Sequence, residues 1–129
     1  MPVIQAISIE KEPRSYLEEE QISGIFLPGS VFASASVGIL EPGVTQTCHC
    51  HKRPQEGIEI IFVYEGTFSL MTEDKVLESF DVRQNGPIYI QVSSGQHAHL
   101  KNTGKEQVKF FSVFTPPFEA GEIHFPRRL

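Results

Sequence analysis

Apolar and polar positions alternate in short runs along most of this chain, and turn-forming pairs fall between the runs at regular intervals. The runs are "GIFLP", "SVFASASVGIL", "VTQTCHCH", "IEIIFVYE", "TFSLMT", "KVLESFDV", "PIYIQV", "HAHLKN" and "QVKFFSVFT". Pro28-Gly29, Pro42-Gly43, Glu65-Gly66, Glu73-Asp74, Asn85-Gly86 and Thr103-Gly104 separate them, and such pairs favour turns because proline presets φ while glycine and asparagine tolerate positive φ. Short runs rich in Val, Ile and Phe at this spacing predict an all-β sandwich or barrel. Helical signal is confined to "YLEEEQI", Tyr16 to Ile22, which predicts one short helical turn between Pro13 and Gly24. Residues 1 to 12 are expected to add an edge strand, and "TPPFEAGEIHFPRRL" to run over the surface. In "VKFFSVF" the alternation puts Phe110 and Phe114 on one face of a core strand and Phe111 on the other. A face of phenylalanine left uncovered would serve as a dimer surface.

Length and composition narrow the possibilities. The chain has 129 residues, 40% of them hydrophobic and 21% charged, which fits one globular domain able to bury its own core. The expected organisation is a single domain over 1–129, with a barrel core at about 30–115, an N-terminal arm at 1–24 and a C-terminal arm at 116–129. A net charge of −5 without a basic stripe argues against nucleic acid as a partner. The longest apolar run, "IEIIFVY", is interrupted by Glu59 and too short to span a bilayer, so no membrane is expected. The N-terminus lacks the basic and apolar regions of a signal peptide, and two cysteines one residue apart form no disulfide framework. A cytoplasmic protein is the expectation.

The densest chemistry lies in "CHCHKRPQEGIE", residues 48 to 59, with two cysteines, two histidines and two glutamates. On a strand, His49 and His51 share one face while Cys48 and Cys50 share the other. All four therefore cannot surround one ion unless the strand is broken. The His-x-His pair alone offers two imidazoles side by side, and the cysteines are expected to pack opposite as small apolar groups. A thiolate zinc site would need this segment to be a loop. Glu59 opens the next alternating strand with Ile61 and Val63 on its own face, which makes it the preferred carboxylate; Glu56 is the alternative.

The succession Gly43, His49, His51, Glu59 and Gly66 resembles the first motif of the cupin superfamily, with a widened insert, "KRPQEGI", before the glutamate. "GPIYIQVSSGQHAHLKN" resembles the second motif in degraded form. Counted forward from Gly86 the family's histidine falls at His97; counted back from Asn102 it falls at Ala98. One residue has been inserted, or the strand carries a bulge. The resemblance implies a double-stranded β-helix (jelly-roll) barrel of the small single-domain type. It also implies a site in which His49, His51, Glu59 and His97, with His99 as the alternative, hold one divalent transition metal. Fe, Mn, Ni, Cu, Co and Zn all suit such a ligand set, and ligands fixed on a barrel leave open positions for substrate.

The function that follows from the resemblance is a metal-dependent enzyme acting on a small polar organic substrate by dioxygenase-, isomerase- or lyase-type chemistry. His99 and Glu56 are the candidates for proton transfer, and a homodimer is the habit of many small cupins. "GPIYI", His97 and "VFTPPFEAGEIH" also resemble stretches of the ectoine synthases, cupin lyases that close a ring with loss of water. That makes Tyr89 a candidate catalytic residue, with Pro87 standing where that family has aspartate. The rival from another class is a barrel that binds or senses a small ligand without turning it over. His124, the remaining histidine, is expected to be a tail residue.

Overall fold

The alternation read along the sequence becomes strands wherever it is clean. A computed structural model of the chain describes residues 5–18, 20–30, 32–51, 57–117 and 123–124; at 50, 51, 123 and 124 it describes the backbone alone. In chain order the strands are β1 (Ser15–Leu17), β2 (Ile22–Phe26), β3 (Ser34–Leu40), β4 (Cys50–His51), β5 (Ile58–Glu65), β6 (Thr67–Thr72), β7 (Lys75–Asp81), β8 (Ile88–Ser93), β9 (His99–Asn102), β10 (Val108–Thr115) and β11 (Ile123–His124). Among the described residues helix is limited to a 3-10 turn at Ile9–Lys11 and one turn, α1 (Val82–Asn85), capped by Asp81 through its Oδ1. Among the described residues no helix is long and apolar enough to cross a membrane.

Two antiparallel sheets face each other. The larger runs β1-β2-β3-β10-β5-β8 and the smaller runs β7-β6-β9. Bridges from Thr45 to Lys101 and from His49 to Ala98 lay residues 45–49 along β9, and β4 in turn pairs with β11. The result is a double-stranded β-helix. Between the sheets, Leu40, Val63, Phe68, Leu100, Val108 and Phe110 pack as one core. Each such side chain contributes roughly 1.5–3 kcal/mol by leaving water.

Strand β10 buries Val108, Phe110, Ser112 and Phe114 and turns Phe111 outward, as the alternation requires. The β5–β6 turn needs Gly66, whose φ is +105° and whose added Cβ would lie 2.7 Å from the Gln107 carbonyl oxygen.

Three expectations change. "YLEEEQI" forms no helix: Leu17 pairs with Ile22 and Tyr16 with Ser23, closing a hairpin through Gln21 at φ 58°. Burial of Ile22 in the core, with Leu17 packed against it, outweighs the helical propensity of a leucine–glutamate run, which repulsion among its like charges already weakens. The sheet therefore begins at Ser15, inside the segment expected to be an arm. Upstream, residues 5–14 contain no strand; Ile9 instead packs on an outer cluster of Ile25, Val37 and Ile39. At the C-terminal end, Ile123 and His124 pair with His51 and Cys50, so that segment returns to the barrel and His124 sits on a strand.

Candidate metal centre and cavity

The inward positions of the large sheet decide where space is left. On β2 they are Ile22, Gly24 and Phe26, on β3 Ser34, Ser36 and Gly38, and on β10 Phe110, Ser112 and Phe114. Small residues in the middle of this surface leave a cavity of about 810 Å³. Gly38 is required there, because a Cβ would meet the Phe110 ring at 2.2 Å. Aromatic rings of Tyr16, Phe26, Phe110 and Phe114 border the cavity, and Glu20, Gln46, His49 and Glu59 supply its polar end.

His49 is 4% exposed. Its Nδ1 lies 2.7 Å from the Thr47 carbonyl oxygen. A carbonyl only accepts, so Nδ1 carries the proton, and in the neutral ring Nε2 presents a lone pair. That Nε2 lies 3.4 Å from Glu20 Oε1. A lone pair and a carboxylate oxygen repel unless a positive charge, a proton or a metal ion, lies between them. Glu59 is 8% exposed and borders the same cavity, with Ile61 and Val63 buried on its face of β5. Gln46 donates its backbone N–H to the Leu100 carbonyl at 2.8 Å and accepts the Leu100 N–H on its side-chain oxygen at 3.1 Å. Its side chain thus replaces a missing ladder bond beside β9.

The later histidines fall differently from the expectation. Ala98 N–H donates to the His49 carbonyl at 3.2 Å, and the two residues are antiparallel partners. Cross-strand partners share a face, and both border the cavity. His97 and His99, one residue to either side, do not border it and take the opposite face. Nδ1 of His97 instead lies 3.8 Å from Cys48 Sγ, which also puts Cys48 opposite His49. Of the two countings in the sequence, the one back from Asn102 describes the geometry. The reason is that Asn102, 1% exposed, anchors β9 through bonds to Leu40 and Glu106 carbonyls.

His99 is also buried, at 5% exposed, and among the described residues its Nδ1 has no hydrogen-bond partner. Burial, and then the neighbouring charge of His49, lower its pKa from 6.5, against a smaller opposing pull from Asp74. Tyr89 takes the outer face. Ile88, Ile90 and Val92 turn inward on β8, so Tyr89 points outward, 58% exposed, and donates its hydroxyl to Gln91. The His51 side chain and the whole of Glu56 lie outside the described residues. Among the described residues, no three His, Cys, Asp or Glu side chains close around a common point.

An oriented imidazole and two carboxylates border the cavity without closing around a common point; as a donor set, nitrogen with oxygen, their chemistry would suit a divalent ion of intermediate hardness. Glu20 and Gln46 went unpredicted. Glu20 lies ahead of the motifs, in a run read as a helical turn, and no spacing rule pointed to it. Only its place in the hairpin brings it to the cavity.

No protein-family model matches the chain, and no curated protein matches it in sequence. Solved structures do match it in fold. The polyketide cyclase RemF from Streptomyces resistomycificus superposes with a TM-score of 0.77 at 13% identity, over 98% of this chain and 88% of that one. A double-stranded β-helix protein from Klebsiella pneumoniae gives 0.73 at 16% identity, over 98% and 100%. The nucleoside dehydratase Pac13, from Streptomyces, gives 0.72 at 12% identity, over 98% and 94%. The shared architecture is the double-stranded β-helix.

Proposed function

We propose that this cupin barrel is a metal-dependent enzyme of lyase, cyclase or isomerase type. Its substrate would be a small organic molecule with an apolar body and one oxygen-bearing end. The observation that carries the reading is the orientation of His49, whose Nδ1 is held by Thr47 so that Nε2 faces a carboxylate at the cavity's polar end. His49, His51 and Glu59 are the residues that would hold the ion. When bound, such an ion supplies Lewis-acid polarisation of a carbonyl or hydroxyl oxygen.

The rest of the reading concerns the chain's own side chains. The rings of Phe110, Phe114 and Phe26 exclude water from an apolar substrate body, and Ser36 and Ser112 offer hydroxyls along the wall. The cavity's aromatic lining shifts the expected substrate from wholly polar to mixed. Fold neighbours described as a cyclase and a nucleoside dehydratase support non-oxidative chemistry by analogy of fold. A homodimer belongs to the same proposal, resting on Phe62 and Tyr89, 43% and 58% exposed and paired across β5 and β8.

The test is elemental analysis of the purified protein beside a His49→Ala/His51→Ala variant. Stoichiometric metal in the first and its loss in the second are expected. Equal content in both would end the metal reading. Absence of turnover by the metal-loaded protein across hydroxy ketones, β-hydroxy acids and polyketide-like aromatics would favour the binding-module alternative.

A further inference from the structure

Resting on that reading of the cavity, we infer that Glu20 is a ligand of the same ion, filling from the N-terminal hairpin the coordination place that Ala98 cannot supply. Ala98 is the antiparallel partner of His49 and borders the cavity, but a methyl group donates nothing to a metal. Its neighbours His97 and His99 cannot take over, because rotating either inward would turn Ala98 and Leu100 out of the core together.

The β1–β2 turn delivers a carboxylate instead. Glu20 Oε1 lies 3.4 Å from His49 Nε2, with the Glu20 side chain only 13% exposed. That separation is longer than the roughly 2.7–2.9 Å of a charge-assisted hydrogen bond. It matches the distance of about 3.4 Å between two donor atoms each about 2.1 Å from one tetrahedral ion. The placement is also built in. Gln21 N–H bonds the Leu17 carbonyl at 2.7 Å to close the turn, and Thr47 N–H bonds the Glu20 carbonyl at 3.3 Å. Thr47 thus ties the turn down with its N–H and orients His49 with its own carbonyl oxygen. One residue sets both members of the pair.

The experiment titrates Mn²⁺ and Co²⁺ into chelator-treated protein by calorimetry and by visible absorption of the Co²⁺ complex. Wild type is compared with Glu20→Gln, Glu20→Asp, and Glu20→Gln combined with Ala98→His, each checked for an unchanged melting transition. Removing an outer partner of a metal ligand weakens affinity roughly 10–100-fold, so loss of a ligand should cost Glu20→Gln at least about 100-fold. The aspartate variant, which keeps the charge with a shorter reach, should fall between. Restoring a histidine at 98 should recover most of the affinity and add a nitrogen-ligand shift to the Co²⁺ spectrum. Wild-type affinity in Glu20→Gln would overturn the inference while leaving the metal reading intact. A histidine at 98 that restores nothing would overturn it as well. Failure of the wild type to bind either ion would overturn both.

Discussion

The ribbon formed by residues 45–49 and β9 carries histidines on both of its faces, and only one face meets the cavity. Inward lie His49 and Ala98. On the other side Cys48 sits beside His97, with His99 buried two residues beyond His97. The residue types alone do not separate these faces, since the outer one holds the softer and more numerous donors. Register separates them, because a slip of one residue exchanges the two sets entirely. A cupin-like site on this chain is therefore a statement about what pins β9.

Asn102 is the main pin, and its removal should have the largest effect. Its side-chain nitrogen donates to the Leu40 and Glu106 carbonyls at 2.9 and 2.7 Å, and its oxygen accepts from Gly104 N–H at 2.9 Å. Asn102→Ala leaves these backbone groups without partners at a site 1% exposed, for a cost of about 3 kcal/mol or more. Urea unfolding reads this directly. An unchanged midpoint would mean that the register is held elsewhere. Gln46→Leu is the milder break. It strands the buried Leu100 N–H while keeping the volume, and should cost about 1–3 kcal/mol together with a loss of amide protection along β9 in hydrogen exchange.

The smallest effect concerns the outer face and pH. Burial and the His49 charge hold His99 below its ordinary value of 6.5. The unfolded chain then binds a proton that the folded chain refuses, so stability falls as pH drops through 6.5 toward the folded value and levels off beneath it. His99→Gln should flatten that part of the stability–pH profile. A slope unchanged from wild type would show that His99 is not the group responsible.

Much of this arrangement was legible in the sequence where burial on one face gives a clean period of two. Strands β5, β6 and β10 fall where the alternation put them, and Glu59 faces inward with Ile61 and Val63 for the reason the sequence supplied. The run from Val44 to His51 was less legible. It reads as one strand in the sequence but forms only isolated bridges at Thr45 and His49 ahead of the two-residue β4, held by Gln46 and by the Thr47–His49 bond rather than by a continuous ladder. Motif counting gave two answers for the second histidine because His97, Ala98 and His99 are adjacent, and only the anchor at Asn102 chooses between them. Tyr89 was placed by local likeness against its own strand's alternation, which Ile88 and Ile90 already disclosed. Glu20 was invisible because its role comes from a hairpin that brings distant segments together, and no local pattern records that.

The measurement that tests the inner face most directly is an anomalous-scattering map from crystals of the Mn²⁺-loaded protein. The account predicts a single peak about 2.0–2.3 Å from His49 Nε2, within bonding reach of the Glu59 carboxylate. A peak between Cys48 and His97, with nothing at His49, would contradict it.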